Sequence, residues 1–207
     1  MTRFHKDFHL SKSLSWLLRH GACEEGFELS PEGYLEVCKI LQHPLFQSRY
    51  QLSDVVRVVR QDAKQRFNLR QSPSTGNLEI KANQGHSIPT VSDDGLTPIL
   101  TPKYSTVVHG TYYKWWSSIE RDGLNRMSRN HIHFAKGTLD DPKVISGLRE
   151  SAEILIYINL PKALADGYKF FESENGVILT SGNHRGFLKP EYFLRAVCLK
   201  TGRILYP

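Results

Sequence analysis

Cysteine is scarce in this sequence, and several common functional motifs are missing. Cys23, Cys38 and Cys198 stand far apart in the 207 residues, and no CxxC pair occurs. So sparse and odd a set argues against a disulfide framework and a cysteine zinc site, and it indicates a reducing compartment, cytoplasm or nucleus. The absence of GxGxxG, P-loop, HExxH and serine-elbow patterns argues against a Rossmann fold, a P-loop nucleotidase, a zinc protease and a serine hydrolase.

Long apolar runs and blocks of one charge are also missing. No stretch approaches 18 consecutive apolar residues, so we expect no transmembrane helix and no membrane partner. The opening segment MTRFHKDFHL has no apolar core, which excludes a secretory signal at this position. The 27 basic and 21 acidic residues give a net charge of +6 without any run of like charge. This balance suits an anionic partner and excludes a tail-driven nucleic-acid binder.

Residues 1–95 are expected to form one domain of three helices followed by a hairpin. Leucines at positions 10, 14, 17 and 18 have helical spacing, which predicts a helix capped by Ser11 and ended by Gly21. A second helix is predicted over residues 34–41, and a third after a Ser53 cap. The segments RFNLR and NLEIKA are typical of two strands joined by a turn. This order favours a winged helix-turn-helix.

Residues 96–207 are expected to form a second, strand-rich domain. The stretch 85–103 carries three prolines and two glycines, so we place the boundary near residue 95. The segment YKWWSSIERD before Gly123 predicts a helix, but no regular βαβ alternation follows. We therefore expect an α+β or split-sheet domain. The strand-like segments are STVVHGTYY, HIHFA, EILIYINL, KFFES, GVILT and LRAVCLK.

Basic residues in three separate segments are candidates for an anion site. Arg19 and His20 end the first helix, where cations simply compensating the helix dipole are the commoner explanation. Alternatively, the arginine fork binds phosphate and the histidine moves a proton near neutral pH. Arg66 lies in KQRF, and Arg129 lies near Arg126 in RMSRNHIHF, so one of that pair is expected to be merely solvated. Periodicity does not bring these segments together.

Other polar and aromatic segments leave two interpretations open. His131 and His133 would share one face of a strand, as a metal pair or as a pocket wall, and no third ligand of clear type accompanies them. The tripeptide HGT at 109–111 allows close backbone approach to a ligand. ANQGHS at 82–87 is either a turn or a cluster of hydrogen-bonding groups. Trp115 and Trp116 are either core or a base-stacking platform.

Seven segments in this order resemble those of the RNA 2′-phosphotransferase family. They span residues 10 to 193, nearly the whole chain, and are SKSLSWLLRHGA, DAKQRFNLR, KANQGHS, HGT, MSRNHIHFA, VISGLR and NGVILTSG. The resemblance implies an N-terminal winged-helix lobe and a C-terminal ADP-ribosyltransferase-like lobe, with the site between them. Lys81 stands where many relatives carry arginine, which keeps the charge. Val177 and Ile178 stand where protein-modifying relatives carry glutamate, which favours the phosphotransferase branch.

The resemblance also implies the reaction. The RNA 2′-phosphate left at a tRNA splice junction attacks the ribose of NAD, and nicotinamide leaves. The ribose 2″-hydroxyl then attacks phosphorus, which releases RNA with a free 2′-hydroxyl and ADP-ribose 1″,2″-cyclic phosphate. Three guanidiniums would stabilise the charge of the migrating phosphate, and His20 would assist proton transfer. The implied partners are RNA and NAD, with no metal and no obligate protein partner.

The residues that the resemblance assigns fall into three sets. The catalytic set is Arg19, His20, Arg66 and Arg129. The NAD-binding set is His109, Gly110, Thr111, His131, His133, Ser146, Gly147 and Arg149. The RNA-phosphate set is Lys12, Arg19, His20, Arg66, Gln84 and His86.

Two other hypotheses remain at this point. One is an ADP-ribosyltransferase that caps terminal phosphates of nucleic acids and stops after the first step. The other is a winged-helix binding module with a degenerate transferase lobe, against which the intact Arg19, His20, Arg66 and Arg129 argue. The cyclic-phosphate product separates the first hypothesis from the phosphotransferase, and NAD-independent RNA binding would mark the second.

Overall fold

The computed structural model of the chain describes residues 2–142 and 144–207. It divides into two compact units, Met1–Gly95 and Leu96–Pro207. Each unit combines helices with small sheets whose described strand pairs are antiparallel, so the mixed α+β class expected from the sequence is confirmed. Over these two described stretches, none of the helices has the length and apolar character needed to cross a membrane.

The first unit contains three helices and one three-stranded sheet. Its elements in chain order are α1 (Arg3–Trp16), a π-helical turn (Leu17–Gly21), β1 (Leu35–Glu36), α2 (Val37–Gln42), α3 (Leu52–Gln61), β2 (Phe67–Gln71) and β3 (Leu78–Ala82). The sheet order is β1-β3-β2. The hairpin predicted from RFNLR and NLEIKA is confirmed, with Leu69 opposite Ile80.

Helix α1 begins earlier than its leucine spacing predicts. The expected cap Ser11 lies inside the helix, which starts at Arg3, so that prediction is wrong. Two ion pairs hold the polar first turns of α1 against α3. They join Lys6 to Asp54 at 2.7 Å and Asp7 to Arg57 at 2.5 Å. Tertiary contacts therefore extend a helix for which hydrophobic periodicity gives no signal. The predicted end at Gly21 is confirmed.

The other two helices also begin at different residues from those expected. The predicted helix over 34–41 starts only at Val37, because Leu35 and Glu36 pair with Ile80 and Glu79 of β3. The third helix has Gln51 rather than Ser53 as its N-cap, so the Ser53 cap is also wrong. In α3, the Asp54 carboxylate accepts from the Gln51 amide at 3.0 Å, which satisfies one of the unpaired donors of the first turn.

The core of the first unit forms where the leucines of α1 meet α3 and the sheet. The side chains of Leu10, Leu14, Leu17 and Leu18 are fully buried. Each such side chain stabilises the fold by about 1.5–3 kcal/mol relative to exposure. They pack in one cluster with Val55 of α3 and Ile80 of β3, among others. This packing fixes the rotation of α1 and of the turn that follows it.

Over its described residues, the second unit contains two four-stranded sheets, one two-stranded pair, two α-helices and a 3₁₀ turn (Pro190–Tyr192). Its strands are β4 (Thr97–Ile99), β5 (Val108–Thr111), β6 (Leu124–Asn125), β7 (Ile132–Phe134), β8 (Ile154–Ile158), β9 (Phe170–Glu172), β10 (Ile178–Thr180), β11 (Phe187–Leu188), β12 (Phe193–Cys198) and β13 (Ile204–Tyr206). Its helices are α4 (Tyr113–Asp122) and α5 (Leu160–Ala165). The six predicted strand segments and the α4 helix ending before Gly123 are confirmed.

One bridge connects the two four-stranded sheets. Their orders are β4-β9-β10-β7 and β13-β12-β8-β5, and a short pair joins β11 to β6. Val108 of β5 and Ala135, just after β7, exchange two backbone hydrogen bonds of 2.9 Å. This contact brings β5 and β7 side by side, and most of the buried apolar residues around them form one cluster.

Candidate functional site

The basic pair Arg19 and His20 lies in the widened turn that follows α1. Residues Leu17–Gly21 form a single π-helical turn, a feature that often occurs at functional sites. Leu17 and Leu18 are fully buried, whereas Arg19 and His20 are half-buried. The leucines therefore anchor the turn in the core and leave the two basic side chains at the surface of the unit.

Residues 83–87, which follow β3, pack directly on this turn. The Ser87 amide donates to the Arg19 carbonyl at 2.8 Å. Ser87 Oγ lies 2.8 Å from His20 Nδ1 and 3.4 Å from the Arg19 carbonyl oxygen. When the hydroxyl donates to that carbonyl it accepts from Nδ1–H, which makes Nε2 the proton-accepting nitrogen of a neutral His20. Gly85 has φ +95°, and a Cβ there would lie 3.3 Å from Arg19 Nε.

A strained bend after α3 sets the direction of Arg66. Gln65 has φ +46°, in the left-handed region that non-glycine residues rarely adopt. Asn83 Nδ2 donates to the Gln65 carbonyl at 2.7 Å, and Asp62 Oδ2 accepts from the Arg66 amide at 2.6 Å. The Arg66 guanidinium donates to Ser11 Oγ at 3.0 Å and lies 3.5 Å from the Asp62 carboxylate. These bonds hold Arg66 against α1.

The 83–87 segment contacts both candidate catalytic arginines of the first unit. Its Asn83 amide donates to the Arg66 carbonyl at 2.8 Å, and its Gly85 lies against the Arg19 side chain. The structure therefore brings the Arg19 side chain, the His20 ring and the backbone of Arg66 into contact with one segment, although their spacing in the sequence gave no reason for it. The sequence gave no indication that Ser87, Asp62 and Asn83 position these basic residues, beyond the fact that they lie in polar motifs.

The remaining residues expected to contact RNA are Lys12 of α1 and two residues of this segment, Gln84 and His86. Lys12 is exposed, with its ammonium 4.9 Å above the Phe8 ring. Gln84 is half-buried. His86 is half-buried as well, and its Nε2 would lie 3.2 Å from a Cβ placed on Gly33. His86 thus packs over the turn before β1.

In the second unit, His109 of β5 has a fixed tautomer. Its Nδ1 lies 2.8 Å from the His133 carbonyl oxygen, and because a carbonyl only accepts, Nδ1 carries the proton. The ring packs edge-on against Phe134, with centroids 5.9 Å apart. Burial lowers the pKa of His109, and the charge of Arg149 lowers it further against the opposing effect of the carbonyl bond. The imidazole is neutral at pH 7, and its Nε2 is a hydrogen-bond acceptor.

His109 also lines a cavity of about 520 Å³ beside helix α4. Cavities of this size commonly hold small-molecule ligands. Thr111 lines the same cavity, because side chains two residues apart on a strand share a face. The wall mixes aromatic and apolar groups with a few polar ones, as ligand pockets do. Sequence reasoning missed most of it, including Ser118, Asn125, Met127 and Phe187.

Close packing accounts for the glycines at 110 and 147. A Cβ on Gly110 would lie 2.5 Å from Leu148 Cδ1 and 2.9 Å from Ala152 Cβ, so side chains fill the space beside this glycine. Gly147 has φ +91°, and a Cβ there would lie 2.8 Å from the Phe134 carbonyl oxygen. The neighbouring Ser146 is half-buried and Arg149 is exposed. The 146–149 segment is thereby fixed against β5 and β7.

Arg126 and Arg129 have different surroundings. Arg126 Nη1 donates to the Arg129 carbonyl at 2.6 Å, and its amide donates to the Gly186 carbonyl at 3.0 Å, so Arg126 supports the loop. Burial lowers the pKa of Arg129, and the positive charge of Arg149 lowers it further. Among the described residues no carboxylate forms an ion pair with the Arg129 guanidinium. A half-buried cation beside a second cation favours an anionic ligand.

The two strand histidines and the paired tryptophans have separate environments. His131 precedes β7, with its ring 6.3 Å from that of Phe171, while His133 offers its carbonyl to His109. Searching the described residues finds no group of three metal-ligating side chains. Trp116 packs against the core, whereas Trp115 is 54% exposed and lines the cavity. Trp116 thus belongs to the core, and a base-stacking role remains a prediction for Trp115 alone.

Each unit therefore presents one kind of chemistry. The first holds the Arg19 side chain and the His20 imidazole on one segment that also bonds the backbone of Arg66, which suits a phosphate that needs charge-assisted hydrogen bonds and a proton near neutral pH. The second holds a pocket with a neutral histidine acceptor. Outside the lining of that pocket it also holds a half-buried arginine whose pKa is lowered by the charge of a second arginine. The pocket itself suits a ligand that carries hydroxyls.

Comparison with known proteins finds one family. The model of the RNA 2'-phosphotransferase, Tpt1 / KptA family matches residues 5–182. A tRNA 2'-phosphotransferase 1 of Mus musculus is 48% identical over 201 residues, which cover 96% of this chain and 80% of the relative. The Danio rerio protein of the same name is 46% identical over 198 residues, 94% of this chain and 87% of the relative. A tRNA 2'-phosphotransferase of Saccharomyces cerevisiae is 35% identical over 183 residues, 85% and 79% of the two chains.

Proposed function

The chain belongs to the RNA 2′-phosphotransferase family, and we infer that it removes an internal 2′-phosphate from spliced tRNA and transfers it to NAD. The products of this reaction are RNA with a free 2′-hydroxyl, nicotinamide and ADP-ribose 1″,2″-cyclic phosphate. One structural observation supports the proposal: the Arg19 side chain, the His20 ring and the backbone of Arg66 all contact the 83–87 segment. Basic side chains that can converge on one ligand are what a phosphate monoester needs for binding.

Within the first unit, we propose that Arg19 and Arg66 bind the non-bridging oxygens of the 2′-phosphate. A guanidinium fork matches two phosphate oxygens and keeps its charge at any physiological pH. His20 is proposed to assist proton transfer in the second step, either by giving a proton to the departing RNA 2′-oxygen or by helping the attack of the ribose 2″-hydroxyl, a contribution of about 10²–10⁴-fold. Lys12, Gln84 and His86 are proposed to contact neighbouring parts of the RNA backbone.

NAD supplies the acceptor ribose and releases nicotinamide. The residues of the second unit fit such a ligand, because His109 Nε2 accepts from a hydroxyl and the cavity beside it has an aromatic wall at Trp115. Arg149 follows Leu148, whose side chain fills the space beside Gly110 of the same strand as His109, and its charge lowers the pKa of His109. We propose that NAD contacts His109, Gly110, Thr111, His131, His133, Ser146, Gly147 and Arg149.

Arg129 is proposed to be the fourth catalytic residue. Its side chain is half-buried, next to the charge of Arg149, and no ion pair within the described residues neutralises it. A guanidinium in that state stabilises negative charge more strongly than an exposed one, because less water screens it. Arg129 would stabilise the charge that develops when the ribose 2″-hydroxyl attacks phosphorus.

We further propose that the first unit is a winged-helix lobe and the second an ADP-ribosyltransferase-like lobe. Three helices with the sheet β1-β3-β2 support the first assignment, and two four-stranded sheets joined at one bridge support the second. The alternative of an enzyme that caps terminal phosphates is not favoured, because the relatives are named for 2′-phosphate transfer.

A defined substrate tests the proposal. An oligoribonucleotide carrying one internal 2′-phosphate is incubated with the protein, with and without NAD, and RNA and nucleotide products are followed. We expect NAD-dependent loss of the phosphate with formation of the cyclic phosphate, and a large loss of rate in Arg19→Ala. RNA that retains ADP-ribose in the wild type would favour the capping alternative. RNA binding without any reaction would favour a binding module.

A further inference from the structure

Helix α1 exposes a row of aromatic side chains that lie outside the buried core of the first unit. Phe4, Phe8, Lys12 and Trp16 follow one another at four-residue spacing, so each lies beside the next in a stripe that turns by about 120° around the helix over its length. Phe4 is 77% exposed, Phe8 51% and Trp16 40%. We call these four residues the aromatic stripe. The core-facing residues of the same helix, Leu10 and Leu14, are fully buried, so burial of the helix does not require the stripe.

The charge of this face is positive. The ammonium of Lys12 lies 4.9 Å above the Phe8 ring, inside the stripe. The one acidic residue of α1, Asp7, is bound by the Arg57 guanidinium of α3 at 2.5 and 2.9 Å. Aromatic rings interleaved with a cation are the pattern by which proteins bind single-stranded nucleic acid, because each base has a face to stack and each nucleotide a phosphate.

The stripe leads to the proposed phosphate-binding residues. Its last member, Trp16, lies against Gly21 at the end of the π-helical turn that carries Arg19 and His20. Ser11, next to Lys12 in the sequence, accepts from the Arg66 guanidinium at 3.0 Å. A strand whose 2′-phosphate is bound by Arg19 and Arg66 therefore has the stripe beside its neighbouring nucleotides.

We propose that the aromatic stripe stacks unpaired bases of the RNA that flank the 2′-phosphate, which rests on the proposed function of the same site. Each four-residue step advances about 6 Å along the helix, so successive rings can meet successive unstacked bases. Stacking is tolerant of base identity, since every base has a π-face. The stripe makes the enzyme select single-stranded or loop RNA around the phosphate without reading its sequence.

The test combines two protein variants with two substrates. Phe4→Ala and Phe8→Ala change exposed side chains, and Leu100→Ala, at 83% exposure in the second unit, is the matched control. Each is assayed on an oligoribonucleotide with an internal 2′-phosphate and on the same oligonucleotide with abasic flanking positions. For Phe8→Ala we expect about a tenfold rise in KM for the normal RNA, with kcat and the KM for NAD unchanged. The abasic substrate should bind wild type as weakly as it binds Phe8→Ala.

Several outcomes would overturn the proposal. A wild-type KM in both phenylalanine variants would exclude stacking, and so would an equal loss on normal and abasic RNA. Wild-type dimers that Phe8→Ala separates, with the KM for RNA unchanged, would show that the stripe binds a second copy of the chain instead. RNA affinity measured by anisotropy without NAD tests the stripe even if the wild type fails to transfer the phosphate, which separates this proposal from the proposed function.

Discussion

Ser87 Oγ lies 2.8 Å from His20 Nδ1, and this contact is the direct support of the histidine side chain. The same residue donates its amide to the Arg19 carbonyl, so it positions the backbone of the pair as well. We therefore expect Ser87→Ala to lower kcat about tenfold, because His20 loses the partner that orients its ring, while the KM for RNA changes little. Steady-state kinetics on 2′-phosphorylated RNA measures both.

A second variant, Ser87→Thr, shows whether activity is lost because His20 is no longer oriented or because the structure is disturbed in general. Ser87→Thr keeps the hydroxyl and should restore most of kcat, whereas Ser87→Ala should fold with nearly wild-type stability. If alanine and threonine at position 87 are equally impaired, the hydrogen bond to His20 is not what the site requires.

Replacing Gly85 by alanine tests whether the close contact between residue 85 and the Arg19 side chain matters for activity. It has φ +95°, and a Cβ would stand 3.3 Å from Arg19 Nε. Gly26, in the same unit, has φ +76° with nothing within 4 Å of a Cβ, so it is a matched control for backbone strain alone. Both alanine variants should lose about 1–2 kcal/mol of unfolding free energy, because L-residues disfavour this conformation.

Only Gly85→Ala should also lose activity. Displacement of the Arg19 guanidinium by a few tenths of an ångström should lower kcat/KM about tenfold or more, since phosphate binding by a guanidinium depends on its direction. Gly26→Ala should keep wild-type kcat/KM. Equal activity of the two variants would show that Gly85 serves the backbone and not Arg19.

Variants of Arg129 test whether its guanidinium takes part in catalysis. Arg129→Ala should slow the second step and let RNA that carries ADP-ribose on its phosphate accumulate, because a half-buried cation is lost where charge develops. Arg129→Lys should also be impaired, since lysine lacks the fork. Arg121, exposed and paired with Asp122, provides the control variant Arg121→Ala. Gel analysis of labelled RNA detects the intermediate; unchanged turnover and no accumulation would contradict this role.

The Asp54 carboxylate predicts an acid-labile link between α1 and α3. Burial raises its pKa, but bonds from Lys6, Arg57 and the Gln51 amide outweigh this and hold the pKa at about 2, against an ordinary 3.8. A lowered carboxyl pKa stabilises the fold above pH 3.8, and this contribution, about 2 kcal/mol, is lost as pH falls toward 2. Urea unfolding of wild type and Asp54→Asn between pH 7 and 2 should show a difference that shrinks over that window.

Local patterns predicted many elements of this fold because they repeat within a few residues. The spacing of Leu10, Leu14 and Leu17 is visible in the sequence, and so are the strand-like run EILIYINL and the stop at Gly123. The first turns of α1 were not predictable in this way. They depend on Lys6 and Asp7 meeting α3 partners 48 and 50 residues away.

The same limit applies to the site. Arg19, His20, Arg66 and Arg129 were proposed as site residues from motifs, and they remain a prediction, but the residues that hold them in place had no such signal. Ser87 reaches His20 across 67 positions, and the lining of the cavity at His109 comes from β5, α4 and the residues after them. Sequence periodicity cannot predict such contacts, because they depend on how the whole unit packs.

His109 gives the last prediction, which joins stability to cofactor binding. Its pKa is lowered by burial, so the folded protein keeps it neutral at a pH where the unfolded chain, near the ordinary 6.5, already binds a proton. Stability must then fall as pH drops below 6.5, until the lower folded pKa is reached. In His109→Gln this part of the pH dependence should vanish, and the KM for NAD should rise, because the acceptor Nε2 is lost from the cavity. Urea unfolding at pH 7.5 and 5.5 measures the first effect and initial rates at varied NAD the second. A variant that keeps the wild-type slope with pH would show that His109 accepts a proton in the folded state, and a neutral acceptor would then be the wrong description of this pocket.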